Sequence, residues 1–80
     1  MDEKKLQNDN KQLINIIQAQ YPRLSKGQKL IAQYIINNYD KVAFMTASKL
    51  GEAVGVSEST VVRFANALGY AGYPKLQEGL

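Results

Sequence analysis

Apolar residues recur along this 80-residue chain at helical spacing, and no segment alternates at the period of a strand. From Leu6 to Gln20, the residues Leu6, Leu13, Ile14 and Ile17 fall near one face, predicting an amphipathic helix. Tyr21-Pro22 ends it, because the residue before a proline is pushed out of the α region. Ile16 is off this register and is expected to stand exposed. Ser25 then caps a second helix, with Gln28 three residues on in a capping-box arrangement and Leu24 stapled onto the first turns. Leu30, Ile31, Tyr34 and Ile35 form its expected core stripe. Asn37-Asn38-Tyr39-Asp40 reads as a break, with Asp40 capping a short apolar piece, Val42 to Met45.

The stretch ASKLGEAVGVSESTVVRFAN, Ala47 to Asn66, carries the most information. Thr46, or Ser48 if the helix starts late, caps a helix on which Leu50 and Val54 share a face. Gly55 falls where that helix must stop in a left-handed conformation. Val56 buries under the turn, and Ser57 is an N-cap for a second helix, its hydroxyl placed to accept from Ser59 or Thr60 N–H. Val61, Phe64, Ala65 and Leu68 follow at helical spacing and face the same small core. Gly51, one turn before Gly55, falls at the expected point of closest helix approach and is small enough for the two helices to cross tightly. Together these positions read as a helix-turn-helix, a motif whose second helix enters the major groove of DNA.

Leu68-Gly69 is a second helix stop. Pro74 suits the first turn of a last helix, Lys75 to Leu80. The fold class is therefore all-α: one small bundle of five or six short helices over residues 1–80, homeodomain-like and containing the helix-turn-helix. Met1 looks like a native start, and Leu80 falls inside a helix with no cap, so the expectation is an N-terminal fragment of a longer protein.

With the apolar stripe turned inward, the second motif helix presents Glu58, Ser59, Val62 and Arg63, which are assigned to base readout. Asn66 extends the same face as a further DNA contact. Short polar groups reach base edges without crowding the groove, and an arginine pairs bidentately with guanine O6 and N7. Ser48, Lys49, Ser57 and Thr60 lie at the two helix starts, where hydroxyls, ammonium groups and free N–H suit phosphate oxygens. Glu58 has an equally ordinary alternative as a first-turn acid that complements the helix dipole.

Composition mostly excludes. The chain has no cysteine and no histidine, which removes disulfides, thiolate chemistry and the usual zinc or iron ligands. It has no paired carboxylates in an apolar setting and no glycine-rich phosphate loop, so neither catalysis nor a cofactor is expected. The longest apolar-rich stretch, Leu30 to Ile36, is interrupted by Gln33 and too short to span a membrane. MDEKKLQNDN lacks the apolar core of a signal peptide, which points to the cytoplasm. The net charge is +3. From Thr46 onward Lys49, Arg63 and Lys75 balance Glu52, Glu58 and Glu78, so the basic excess lies in the first half. A neutral reading region implies modest affinity per copy, and hence a homodimer on a two-fold operator. Ile14, Ile16 and Ile17 of the first helix are the expected local contributors to pairing.

LSKGQKLIAQYIINN, followed by VAFMTASKLGEAVGVSESTVVRFANALGYAGYPKLQ, resembles the N-terminal domain of RpiR-type bacterial transcriptional regulators over about Leu6 to Leu80. The shared features are the Leu-Ser opening, Ile-Ala-x-Tyr-Ile, Gly-Val-Ser-x-x-Thr-Val-x-Arg-Phe, and the particular Leu-Gly-aromatic-x-Gly-aromatic of Leu68 to Tyr73. The chain departs from the usual pattern at Gln28, at Tyr39 and at Gly51, where alanine is more common. The resemblance implies binding to a double-stranded DNA operator and control of sugar or amino-sugar metabolism. It also implies a phosphosugar effector, held by a C-terminal domain outside this chain. Two other readings fit the same residues: a helical protein-interaction module, and the DNA-binding part of a recombinase or transposase.

Overall fold

The computed structural model describes residues 12–80, so the expected helical position Leu6 lies outside the described residues. Five α-helices and one 3₁₀ turn make up the described fold, with no strand. Helix α1 (residues 12–20) buries Leu13 and Ile17, while Ile14 is half-buried. Ile16 is not exposed as its register suggested. It is half-buried against the core, because neighbouring elements cover more than a single stripe of this helix.

The chain leaves α1 through a 3₁₀ turn at Tyr21–Arg23, with Pro22 in its first positions and Leu24 N–H donating to Tyr21 O at 3.0 Å. Tyr21 is tied to the next helix: its hydroxyl accepts from Gln33 Nε2 at 2.7 Å, and Lys29 Nζ lies 5.4 Å from the ring centroid, within cation–π range.

Helix α2 (Lys26–Val42) starts with the expected capping box. Ser25 Oγ accepts from Gln28 N at 3.3 Å and Gln28 Oε1 accepts from Ser25 N at 3.0 Å. Its buried residues are Ile31, Ala32, Ile35 and Val42, whereas Leu30 is 45% exposed. At about 100° per residue the stripe is centred between Ile31 and Ala32, which puts Leu30 on the far side. The break expected at Asn37 to Asp40 is a kink. Asn38 leaves helical geometry (φ −140°, ψ 36°), and its Nδ2 donates to Tyr34 O at 3.1 Å. Helix resumes at once, so Asp40 sits inside α2 and does not cap a separate piece, and Val42 is the last residue of α2.

Thr46, not Ser48, caps α3 (Ala47–Val54), accepting from Lys49 N at 3.1 Å. Gly55 ends it at φ 91°, and Gly51 O accepts from both Gly55 N (2.7 Å) and Val56 N (2.9 Å). What comes close to Gly51 is the turn itself: a Cβ there would lie 2.7 Å from Val56 O. Val56 is half-buried against the core.

Helix α4 (Glu58–Ala67) packs on α2, α3 and α5 through Val61, Phe64 and Ala65. It closes in a Schellman turn: Tyr70 N–H donates to Ala65 O at 3.0 Å and Gly69 N–H to Asn66 O at 2.9 Å, with Gly69 at φ 96°. Helix α5 (Tyr73–Gln77) starts two residues earlier than expected and ends before Leu80, giving way to turns at Glu78 to Leu80. No helix among the described residues is long and apolar enough to cross a membrane.

Candidate nucleic-acid interface

Two successive N-caps fix the candidate surface. Ser57 Oγ accepts from Thr60 N at 3.2 Å and lies 2.8 Å from Thr60 Oγ1 and 3.0 Å from Ser59 Oγ. This resolves the cap partner as Thr60. Thr60 is itself half-buried, and a Cβ at Gly27 of α2 would meet its methyl carbon at 3.5 Å. Its position is thus set by packing on one side and by the cap on the other.

Beyond that first turn, Glu58, Ser59, Val62, Arg63 and Asn66 are all exposed on one side of α4. Glu58, Val62 and Asn66 follow one another at four-residue steps, with Ser59 and Arg63 beside them, so they form a stripe two residues wide. Val62 is 37% exposed, with Val61 fully buried next to it. The core is thus served by one valine and the outer face by the other. Among the described residues the only ion pair is Lys75 with Glu78, at 3.7 Å. Neither Arg63 nor Glu58 therefore has an opposite charge within 4.0 Å there.

Ser48 and Lys49 are exposed in the first turn of α3. The two motif helices meet at a shared groove of about 410 Å³, lined by Thr46 and Ala47 from the start of α3, Glu58 and Val62 from α4, and Gly72, Tyr73, Pro74 and Gln77 from the last turn and helix. All the sequence-assigned residues thus sit on the start of α3 or on the start and outer face of α4. Among the described residues no group of His, Cys, Asp or Glu is placed to hold a metal ion.

Sequence reasoning missed the role of α5. Tyr73 is buried, and its hydroxyl donates to Met45 O at 2.6 Å and Val42 O at 3.3 Å. Gln77 Nε2 reaches the carbonyls of Val42, Ala43 and Met45 at 3.2, 3.0 and 2.7 Å. Two side chains of α5 thereby converge on carbonyls at and just beyond the end of α2, adding to the bond that Val42 O accepts from Met45 N–H, and hold the lead-in to α3. The aromatic-x-Gly-aromatic spacing was visible, but nothing local tied it to carbonyls some thirty residues upstream. Burial pushes the Tyr73 hydroxyl above the ordinary tyrosine range, and that of Tyr70 likewise.

The profile described as the helix-turn-helix domain of the rpiR family matches residues 11–80. The chain is 36% identical over 64 residues to the uncharacterized HTH-type transcriptional regulator YfhH of Escherichia coli, covering 80% of this chain and 23% of that protein. It is 34% identical over 67 residues to the HTH-type transcriptional regulator HexR of Pseudomonas aeruginosa, covering 84% and 24%. To the HTH-type transcriptional regulator GlvR of Bacillus subtilis it is 30% identical over 66 residues, covering 82% and 26%. The chain thus spans about a quarter of the length of these relatives. An all-α fold, a left-handed glycine between two capped helices and a match over nearly its whole length agree: the chain belongs to the rpiR family of helix-turn-helix domains.

Proposed function

We propose that this chain is the DNA-reading part of a bacterial transcriptional regulator, which lays the outer face of α4 in the major groove of an operator. The observation that carries this reading is the stripe of Glu58, Ser59, Val62 and Arg63, exposed on a helix whose opposite face is wholly core. Arg63 pairs with guanine, Glu58 accepts from cytosine N4, Val62 meets a thymine methyl, and Asn66 lies at the far end of the stripe. Ser48, Lys49, Ser57 and Thr60 take phosphate oxygens at the groove edges.

The finer reading is a regulator of sugar or amino-sugar metabolism whose C-terminal domain binds a phosphosugar effector. It is supported by membership of the rpiR family and by the chain's length of about a quarter of its relatives'. A nearly neutral reading face supports two copies on a two-fold site, since one such face gives little affinity over competing DNA. Helix α1 has less to offer this pairing than its sequence suggested, because Ile17 is fully buried and Ile16 leans on the core.

Selection of bound duplexes from a random pool tests the reading, followed by titration of the selected and a scrambled duplex across a salt series. Enrichment of a two-fold sequence and a steep fall of affinity with salt are expected. Salt-independent affinity, or no enriched sequence, overturns it in favour of a protein-binding face.

A further inference from the structure

Phe44, between α2 and α3, is 92% exposed, the most exposed of the large apolar residues described. The reading face of α4 does not account for it. Its exposure is built in by its neighbours: Val42 is fully buried and Met45 packs against the core, so Phe44 turns inward only if both are pulled out. The backbone is held as well. Ala43, Phe44 and Met45 N–H donate to Tyr39, Lys41 and Val42 carbonyls at 3.1, 3.1 and 3.0 Å, while Tyr73 and Gln77 engage the carbonyls of Val42, Ala43 and Met45. A ring presented on so constrained a loop loses little entropy on making a contact.

The surroundings say what it contacts. The bond from Phe44 N–H to Lys41 O puts exposed Lys41 one turn before it, with Asp40 the neighbouring acid. Thr46, two residues on, both caps α3 and lines the groove it shares with Glu58 and Val62, and exposed Lys49 follows in the first turn of α3. An exposed apolar ring that lies in sequence between two exposed lysines, just before a helix start, matches a polymer that alternates anions with apolar C–H surface. We infer that Phe44 packs on a deoxyribose of the DNA strand bordering the major groove, while Lys41 and Lys49 neutralise the phosphates on either side. This rests on the reading of α4 given above.

Phe44→Ala in the 80-residue chain is the test, by fluorescence anisotropy with the selected and a scrambled duplex over a salt series. Affinity should fall about tenfold, alike on both duplexes because sugars carry no sequence. The salt slope should stay at its wild-type value because no phosphate contact is lost. Phe44→Trp should restore most of the affinity. Wild-type affinity in Phe44→Ala overturns this inference alone, as does a loss that tracks a dimer-to-monomer shift of the DNA-free protein in sedimentation, which assigns the ring to a second copy. Absence of salt-dependent duplex binding by the wild type overturns this inference and the reading of α4 together.

Discussion

The Tyr73 hydroxyl donates to the Met45 carbonyl at 2.6 Å, joining the first residue of the last helix to the residue before the cap of α3. Gln77 Nε2 reaches the same carbonyl at 2.7 Å, and both side chains also reach Val42 O. Each therefore backs up the other. Tyr73→Phe should cost about 1 kcal/mol in urea unfolding, and Gln77→Met a similar amount. The double variant should lose more than the sum, by about 0.5–1 kcal/mol, since only then does the Met45 carbonyl lose both donors. Strict additivity would show that the two donors act independently.

The same hydroxyl makes stability depend on alkaline pH. Burial raises the Tyr73 pKa in the folded state, while an unfolded tyrosine titrates near ~10. Below that value both states keep the proton and the contribution is whole. As pH rises past it, the unfolded chain gives up its proton first, so stability falls until the folded-state value is passed. Unfolding free energy measured from about pH 9 to 11 should decline and decline less steeply in Tyr73→Phe. Tyr70, also raised by burial, contributes in the same direction.

Gly51 and Gly55 are needed for different reasons, and alanine separates them. At Gly51 a methyl gains about 1 kcal/mol of helix propensity but meets Val56 O at 2.7 Å, an overpacking of about 1–3 kcal/mol. A net loss near ~1 kcal/mol is expected, with amide shifts at Val56 and Ser57 as the turn moves outward. At Gly55 nothing lies within 4 Å, but φ is 91°. Alanine there should cost about 1–2 kcal/mol through the backbone alone. A stabilised Gly51→Ala would mean the turn yields freely.

These glycines, with the Thr46 and Ser57 caps, were legible because their signals are local. A left-handed stop, a hydroxyl and a residue three positions on suffice to place α3 and α4 and hence the outer face of α4. Leu30 was misjudged because a large apolar side chain looked more core-like than Ala32, although it is Ala32 that is buried. Asn38 was legible as a break but not as a kink, since its side chain bonds Tyr34 O and the helix continues past it. The clamp of Tyr73 and Gln77 spans about thirty residues, and no spacing rule reaches that far.

Arg63→Ala should cost about 1–3 kcal/mol on the selected duplex and far less on a scrambled one. The guanidinium is exposed, so thermal stability should hold. Equal losses on the two duplexes would move Arg63 to a phosphate.

Lys49→Ala should weaken every duplex alike and flatten the salt slope by about one unit, as expected when one phosphate contact is removed. An unchanged slope in the same titration would take Lys49 off the interface.

Among the described residues, no hydrogen bond or ion pair to another side chain is seen for Glu58, Val62, Arg63 or Asn66. Their identities are therefore almost unconstrained by folding, and substitutions at such positions usually change stability by about 0.5 kcal/mol or less. On the reading of α4 proposed above, address and architecture are written in separate letters of this helix. On that reading, a duplicated copy could drift to a new operator through four outward positions without passing through an unstable intermediate. For the same reason, an engineer can vary those four positions at once, leaving out proline and glycine, and still expect most members of the library to fold.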